Sequence, residues 1–427
     1  MPIIKTFIVP HPPLIVPKIG GGQEMKIQKT IDAYEKIAKL IAEIKPDTIV
    51  LTTPHSIMYS DYIHISPGRG AKGNFREFGQ EQVSIEVEYD TDFIKKLSTL
   101  AEENNIPAGT WGEKNKSLDH GTMVPLYFVN KYYNDYKLVR ISISGLSYIE
   151  HYRFGKCIGE AADESDKKIV FIASGDLSHM LKEEGPYGYK EEGVIFDREI
   201  TAAMKKGDFL EFLKFDEEFC ESAAECGLRS FIIMAGALDG KSVESELLSY
   251  EGPFGVGYAV SEYTLIANDK TRHFDETYKT NEQNRIDALK NEEDSYVRLA
   301  RQSLESYVIK HKRIKKTQEL DADLLKKRSG VFVSLKMDGQ LRGCIGTITP
   351  TTDCIADEII QNAISAGAED PRFYPVTEEE LPRIVYSVDV LGEAEPINSM
   401  DELNPVRYGV IVEKAAGEDY CFQTLKA

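Results

Sequence analysis

Four of the eight histidines lie in sequence contexts typical of a chemical site. His11 lies in Val-Pro-His-Pro-Pro-Leu, and His55 lies in Thr-Thr-Pro-His-Ser. His120 lies in Asp-His-Gly, and His179 ends the segment Gly-Asp-Leu-Ser-His. Flanking prolines restrict the backbone and remove hydrogen-bond donors, so they hold an imidazole on a stiff segment. One such histidine alone is best explained by a structural hydrogen bond, but four in similar settings favour a shared metal or acid–base site.

Other residues in the same segments give weaker indications. His64 alternates with apolar residues, which predicts a strand position, and His151 has no special context. Asp176, Ser178 and His179 are close in sequence, but sequence neighbours do not form a catalytic triad, and the chain has no Gly-x-Ser-x-Gly elbow. Zinc hydrolysis by the histidines is a stronger alternative, because zinc accepts the same ligands.

The elements that carry these histidines alternate between short β-branched segments and longer amphipathic ones. Strands are predicted at residues 3–9 and 48–53, and His11 and His55 directly follow them. This alternation predicts an α/β fold with a mostly parallel sheet flanked by helices, in which sites gather where the strands end. Further strands are predicted at 137–143 and 168–173, and helices at 23–44, 91–104, 196–205 and 226–238.

Taken in order, these motifs resemble the class III extradiol dioxygenases, a superfamily that includes the MEMO-type proteins. The likeness extends from the N-terminus to about Tyr258, in Gly-Val-Gly-Tyr-Ala-Val. It implies that His11 and His55 are the imidazole ligands of one metal ion. It also implies that His179 is the acid–base histidine and that His120 lines the pocket.

The resemblance leaves two assignments open. Asp176 and Asp119 either orient the imidazole rings through hydrogen bonds or form turns. The third metal ligand is Glu225 or its neighbour Cys226. A two-histidine, one-carboxylate oxygenase site requires Glu225, which we favour slightly for catalysis, whereas alignment on the Cys-Gly step of MEMO-type proteins selects Cys226. A thiolate is softer and would favour other metals.

The function implied by the resemblance is cleavage of a catechol-type aromatic by dioxygen at a non-haem Fe(II) centre. One alternative is a MEMO-like metal-binding protein that is not an oxygenase and has a redox, signalling or partner-presenting role. A zinc hydrolase is the other, with Zn in place of iron. The expected partners are a small aromatic substrate and dioxygen, and a homo-oligomer is compatible with the sequence.

A second domain is predicted after a polar linker at residues 268–290, so that the two domains cover 1–267 and 291–427. Asp338-Gly339 between apolar segments predicts a hairpin. The segment from Leu341 to Ile348, followed by Asp-Pro-Arg-Phe, resembles the AMMECR-type domain and implies a smaller α+β fold. Its motif has no assigned role, and Cys344 is interpreted as a buried strand cysteine. The motif residues are Arg342, Gly343, Cys344 and Gly346.

The C-terminal end departs from the AMMECR-type pattern. That family continues through a Gly-Leu-Leu-Leu-Pro segment, whereas this chain ends in Glu-Asp-Tyr-Cys-Phe-Gln-Thr-Leu-Lys-Ala. Codons compatible with this tail, read one base out of register, can encode the missing segment. We therefore expect a truncated second domain caused by a frameshift near Ala416.

Composition narrows the class of protein. The 427 residues are 42% hydrophobic and carry a net charge of -19, which argues against sequence-independent binding of nucleic acid. The six cysteines form no Cys-x-x-Cys pair, as expected in a reducing compartment. No signal-peptide pattern or membrane-spanning apolar segment is found, so the expected location is cytoplasmic, without membrane association.

Overall fold

A computed structural model describes residues 3–114 and 117–392, together with the backbone of residues 395–396, 408–414 and 420–426. The chain divides into two compact units between Tyr278 and Lys279. The division falls inside the helix Phe274–Glu292, which occupies most of the segment predicted as a linker.

The first unit is built on a six-stranded sheet with the order β7-β2-β8-β1-β10-β9. The four strands from β7 to β1 are mutually parallel, and the hairpin of β9 and β10 continues the sheet in antiparallel orientation. This confirms the predicted α/β fold with a mostly parallel sheet. The strands of this unit are β1 (Ile3–Val9), β2 (Thr48–Thr53), β3 (Ile63–His64), β4 (Gly70–Phe75), β5 (Gln80–Glu88), β6 (Ala108–Gly109), β7 (Lys137–Ser142), β8 (Ile169–Ser174), β9 (Lys241–Glu251) and β10 (Tyr258–Asn268).

Helices cover the sheet, which explains why its central strands β2 and β8 are buried along their whole length. Such burial is expected for parallel strands packed on both faces. The longer helices pack in pairs, α2 with α4 and α5 with α9, against this sheet. The helices are α1 (Pro17–Gly20), α2 (Gln28–Ile44), α3 (Thr91–Glu103), α4 (His120–Val129), α5 (Tyr148–Asp163), α6 (Glu191–Lys206), α7 (Phe209–Phe212), α8 (Glu217–Ala223), α9 (Leu228–Ala237) and α10 (Phe274–Glu292).

The register of the parallel strands decides which residues meet. Val9 at the end of β1 lies beside Ser174 at the end of β8, and Thr52 of β2 lies beside Ala173. The chain segments that leave these strands therefore emerge side by side at one edge of the sheet. This edge positions the candidate site.

The positions of His64 and His120 in the fold can be compared with the sequence predictions. His64 lies in β3 and is buried, which confirms its predicted strand position. His120 is the first residue of helix α4 rather than a loop residue. The reason is Asp119, whose side chain accepts a hydrogen bond from the backbone N–H of Thr122 and begins the helix.

The second unit contains an antiparallel sheet with the order β12-β11-β13. Helices α11 and α13 pack against each other and cover this sheet. The hairpin between β11 and β12 turns at Asp338 and Gly339, whose φ angles of 52° and 83° confirm the predicted turn. The elements described here are α11 (Ser295–Lys310), α12 (Ala322–Lys326), β11 (Val331–Met337), β12 (Gln340–Gly346), α13 (Ile355–Ala368) and β13 (Ile384–Val390).

A further sheet in this unit joins β14 (Glu395–Pro396), β15 (Tyr408–Lys414) and β16 (Tyr420–Lys426) in the order β14-β16-β15. The predicted frameshift concerns Ala416, which lies outside the described residues.

Candidate metal centre

His11 is fixed from several sides at the end of β1. Its backbone N–H donates a hydrogen bond of 2.7 Å to Asp176 Oδ1, and its side chain is buried. The hydroxyl of Tyr34 on helix α2 donates to the carbonyl of Pro10, the residue before it. The flanking prolines, a carboxylate and a helix therefore all restrain this one residue.

The tautomer of His11 follows from its hydrogen bonds. Ser174 Oγ donates its only proton to the carbonyl of Gly121 at 2.6 Å, so His11 Nδ1 must donate to Ser174 Oγ across their 3.0 Å contact. Nε2 of His11 is then left with a free lone pair. Burial, followed by the nearby charges of His55, His120 and His179, holds the pKa of His11 well below its usual value, so the ring is neutral.

His55 presents the same ring atom to His11. Its Nε2 lies 2.9 Å from His11 Nε2, and its backbone N–H donates to Thr53 Oγ1 at 3.2 Å. Although part of the His55 side chain is exposed, loss of hydration among the neighbouring groups, reinforced by His120, lowers the pKa of His55 to about 4. Two neutral imidazoles facing each other through Nε2 need either a proton or a cation between them.

Cys226 completes a group of possible metal ligands. Its Sγ lies 3.6 Å from His11 Nε2, and the ligand atoms of Cys226, His11 and His55 all lie within 4.8 Å of one another. The backbone N–H of Asp176 donates to the sulfur at 3.3 Å. Burial, with Asp176 and Glu225 adding to it, raises the pKa of the Cys226 thiol well above its usual value, so the thiolate requires a compensating cation.

The neighbouring carboxylate has a different partner. Glu225 Oε2 accepts a hydrogen bond of 2.6 Å from the backbone N–H of Leu228, at the start of helix α9. Burial raises the pKa of Glu225, while this hydrogen bond and Arg229 oppose the rise. The predicted site residues therefore divide here: Cys226 joins the two histidines, whereas Glu225 is bound to the helix start.

These donors suit a transition-metal ion. Ligand atoms that share one four-coordinate ion lie roughly 3.3–3.6 Å apart, close to the 2.9 Å and 3.6 Å separations found here. Two neutral imidazole nitrogens and a sulfur are ligands preferred by zinc, iron and copper rather than by magnesium or calcium. His11, His55 and Cys226 thus fit such an ion.

His120 borders the group without belonging to it. Its ring centre lies 4.1 Å from that of His55 and 5.5 Å from that of Phe78, whose ring is nearly perpendicular to it. Asp119 makes no imidazole hydrogen bond among the described contacts; its carboxylate accepts from Thr122 N–H and from Thr53 Oγ1. Asp176, similarly, bonds the backbone of His11, so both carboxylates hold the main chain rather than a ring.

His179 is oriented by the chain segment before Cys226. Its Nδ1 contacts the carbonyl of Ala224 and must donate to it, which leaves Nε2 free to accept a proton. Burial lowers the pKa of His179, so the ring is neutral near pH 7. Ala224 has a left-handed φ of 51°, an uncommon conformation for a residue with a Cβ.

A cavity of about 610 Å³ opens beside the imidazoles. Its size suits a small ring compound, with Phe78 and the two histidines on its walls. A larger cavity of about 740 Å³ has no histidine or cysteine in its lining and carries no comparable chemistry. The smaller cavity is lined by His55, Ser56, Asn74, Arg76, Glu77, Phe78, Ser117, Leu118, Asp119, His120 and Met123.

Sequence reasoning missed Ser174, Tyr34 and Phe78. Ser174 could have been found, because it directly follows the strand predicted at 168–173, at the edge where His11 and His55 emerge. Tyr34 and Phe78 carry no such signal, since one lies in an ordinary amphipathic helix and the other follows a hairpin strand.

The AMMECR-type motif lies in the second unit. Cys344 is a strand residue that is only partly buried; its N–H donates to Asp370 Oδ2 at 2.9 Å, and its carbonyl accepts from Arg372 at 2.9 Å. The Arg372 guanidinium holds the pKa of Asp370 well below its usual range. Arg342 forms an ion pair with Glu380 at 2.7 Å.

The two motif glycines are required by packing. A Cβ added to Gly343 would lie 2.2 Å from the carbonyl oxygen of Ala366, and one added to Gly346 would lie 2.2 Å from the ring of Phe332. Packing alone therefore explains why both positions are glycine, and neither glycine needs a chemical role.

Comparison with known proteins agrees with this division. Residues 5–261 match the family model of the catalytic LigB subunit of aromatic ring-opening dioxygenase, and residues 297–422 match AMMECR1. A protein of Clostridium acetobutylicum is 45% identical over 419 residues, covering 95% of this chain and 88% of its own. The 2-aminophenol 1,6-dioxygenase beta subunit of a Pseudomonas species is 28% identical over 299 residues, covering 62% of this chain and 94% of its own.

The solved structures include an uncharacterized protein of Escherichia coli K12 that is 16% identical, with a TM-score of 0.39, and covers 61% of this chain and 99% of its own. Among the described residues, no helix has both the length and the apolar character needed to cross a bilayer. The chain belongs to the family of the catalytic LigB subunit of aromatic ring-opening dioxygenases and carries an AMMECR1 domain after it.

Proposed function

We propose that the first unit is a metal-dependent oxidoreductase that opens the ring of a catechol- or aminophenol-type aromatic with dioxygen. The metal centre of this proposal is carried by the convergence of His11 Nε2, His55 Nε2 and Cys226 Sγ within 4.8 Å, beside a cavity of about 610 Å³. The oxygenase reaction is supported by the family, because Cys226 lies where an oxygenase triad has a carboxylate. Family membership and the likeness to a 2-aminophenol 1,6-dioxygenase subunit support the substrate class. Because that relative is a subunit, we also expect this chain to work in an assembly.

The residues around the centre have distinct tasks in this proposal. His11, His55 and Cys226 would hold Fe(II), which, when bound, supplies a redox-active centre for aromatic substrate and dioxygen. His179, neutral and with Nε2 free, accepts the proton of a substrate hydroxyl. His120 and Phe78 line the cavity and contact the ring of the substrate.

A second candidate follows from the sulfur. A thiolate in place of a carboxylate is the arrangement that the MEMO-type resemblance implies, and it favours a metal-binding protein that is not an oxygenase. Zinc accepts the same donors, so a zinc hydrolase is the third candidate. All three candidate functions use His11 and His55 as metal ligands. They differ in the reaction that the bound metal supports, so an assay of that reaction distinguishes them.

The test loads the chain with Fe(II) anaerobically and then measures oxygen uptake with catechol and with 2-aminophenol. We expect one iron per chain and uptake that depends on the aromatic compound. His11→Ala should lose iron, whereas His179→Ala should keep iron and lose about 10²–10⁴-fold in rate. His273→Ala is the matched control, because His273 pairs with Asp239 outside this group.

The outcomes separate the candidates. Iron uptake without oxygen consumption with either aromatic would contradict the oxygenase and favour the second candidate. Ester or amide hydrolysis by the zinc-loaded chain would favour the third. Full iron binding by His11→Ala would contradict all three, because each needs this ligand.

A further inference from the structure

Glu225 is a half-buried carboxylate that the proposed reaction does not use. Its Oε2 accepts the N–H of Leu228 at 2.6 Å, in the first turn of helix α9. The first N–H groups of a helix lack partners within the helix and carry partial positive charge. A carboxylate bound there is well stabilised and has no need of a metal ion.

The turn that Glu225 closes contains two residues of the candidate centre. Cys226 follows directly, with its sulfur 3.3 Å from the N–H of Asp176 and 3.6 Å from His11 Nε2. Ala224 directly precedes, and its carbonyl receives Nδ1 of His179. One segment of three residues therefore positions both a ligand and the acid–base histidine.

The backbone of this segment links two helices. Ala224 ends helix α8 with a left-handed φ of 51°, unfavourable for a residue with a Cβ, and its N–H donates to the carbonyl of Glu221. Gly227 is confined, because a Cβ there would lie 2.3 Å from the ring of Phe231. The bond from Glu225 to Leu228 ties this segment to the rigid helix that follows it.

We propose that Glu225 is a positioning residue, which holds Cys226 Sγ toward the two histidines and the Ala224 carbonyl toward His179, and that it is not itself a metal ligand. This inference rests on the proposed metal centre. It assigns the two adjacent candidates different tasks, the sulfur binding the metal and the carboxylate fixing the turn that carries the sulfur.

The chain offers a matched control at Glu251. Its Oε2 accepts the N–H of Thr30 at 2.8 Å, in the first turn of helix α2. Loss of this carboxylate removes the same kind of hydrogen bond at another helix start. Alanine and glutamine variants at residues 225 and 251 therefore form two parallel pairs.

The test titrates the four variants, Cys226→Ser and the wild-type chain with Co(II), and follows the thiolate-to-cobalt charge-transfer absorption. Glu225→Ala should bind Co(II) about 10–100-fold more weakly, the range found when a group that supports a ligand is removed. Glu225→Gln keeps an oxygen acceptor for Leu228 and should lose less. Both Glu251 variants should match wild type, and the charge-transfer band should be absent only in Cys226→Ser.

Two results would overturn the inference. One is wild-type affinity in Glu225→Ala. The other is Co(II) affinity that survives in Cys226→Ser and is lost in Glu225→Gln, with no charge-transfer band in wild type, since that would make Glu225 the ligand.

A metal-free measurement separates this inference from the proposed function. If wild type takes up no Co(II), the proposed metal centre fails, and the rate of Cys226 alkylation in the metal-free chain, measured by peptide mass spectrometry, tests the positioning role. We expect faster alkylation in Glu225→Ala than in Glu251→Ala, because the sulfur is released from Asp176. Equal rates would refute the positioning role.

Discussion

Replacing Ser174 with alanine should weaken metal binding without touching a ligand. Ser174 Oγ accepts from His11 Nδ1 at 3.0 Å and donates to the carbonyl of Gly121 at 2.6 Å. This pair of bonds fixes the tautomer that leaves His11 Nε2 free. Alanine removes both bonds, so the ring can rotate or take the other tautomer, in which Nε2 carries the proton.

The expected magnitudes follow from the groups that lose their partner. His11 Nδ1–H and the Gly121 carbonyl are both buried, and each buried group without a partner costs about 1–3 kcal/mol. Water that enters the space left by the hydroxyl can bond to part of these groups. The free energy of unfolding should therefore fall by about 2–4 kcal/mol. Metal affinity should fall about 10–100-fold, the usual effect of losing a hydrogen bond that orients a ligand.

The assay combines urea unfolding of the metal-free chain with competitive Co(II) or Zn(II) titration. Ser142→Ala is the matched control, because Ser142 also ends a buried parallel strand and donates to a backbone carbonyl, that of His64 at 3.3 Å. The control should lose about 1 kcal/mol of stability and no metal affinity. Metal affinity in Ser174→Ala equal to that in Ser142→Ala would refute the argument from the tautomer.

Three further changes test other parts of the molecule. Burial raises the pKa of Asp197 to about 7, compared with about 3.9 in the unfolded chain. Between these pH values the folded state binds one proton more than the unfolded state, so the free energy of unfolding should fall as pH rises from 4 to 7. Asp197→Asn mimics the protonated acid and should flatten this slope in urea midpoints measured at pH 5 and pH 8; an unchanged slope would contradict the assignment. Gly227→Ala places a Cβ 2.3 Å from Phe231 and should destabilise the chain by about 1–3 kcal/mol in the same assay, and a wild-type midpoint would contradict it. Glu358→Ala removes a buried carboxylate that accepts from three threonine hydroxyls, and it should speed amide hydrogen exchange in the second unit but not the first; equal exchange would contradict it.

The central sheet could be predicted because its sequence is locally consistent. Strands β1, β2 and β8 are short apolar segments separated by amphipathic helices, a pattern that parallel packing requires. The position of His11 and His55 after two such strands was enough to expect that they meet. The turn at Asp338-Gly339 was equally predictable, because both residues tolerate the positive φ angles found there.

The supporting contacts could not be predicted, because they depend on tertiary packing. Asp119 and Asp176 each have a carboxylate beside a histidine in sequence, yet each bonds a backbone N–H, one in helix α4 and one at His11. A side chain one or three residues from a histidine has no preferred direction until the strands are aligned. The same limit applies to Phe78, which reaches His120 from the turn between β4 and β5, a contact that the sequence does not indicate.

The choice between Glu225 and Cys226 shows this limit most clearly. Adjacent side chains leave the backbone in different directions, so only one of the two can face the histidines. The turn before them includes Ala224 with a φ of 51°, a conformation that an alanine in the sequence does not predict. The deciding observation is that Cys226 Sγ lies 3.6 Å from His11 Nε2, whereas Glu225 Oε2 accepts the N–H of Leu228. Chemistry inferred from residue types alone favoured the carboxylate, whereas the folded backbone places the sulfur beside the histidines and the carboxylate at the helix start.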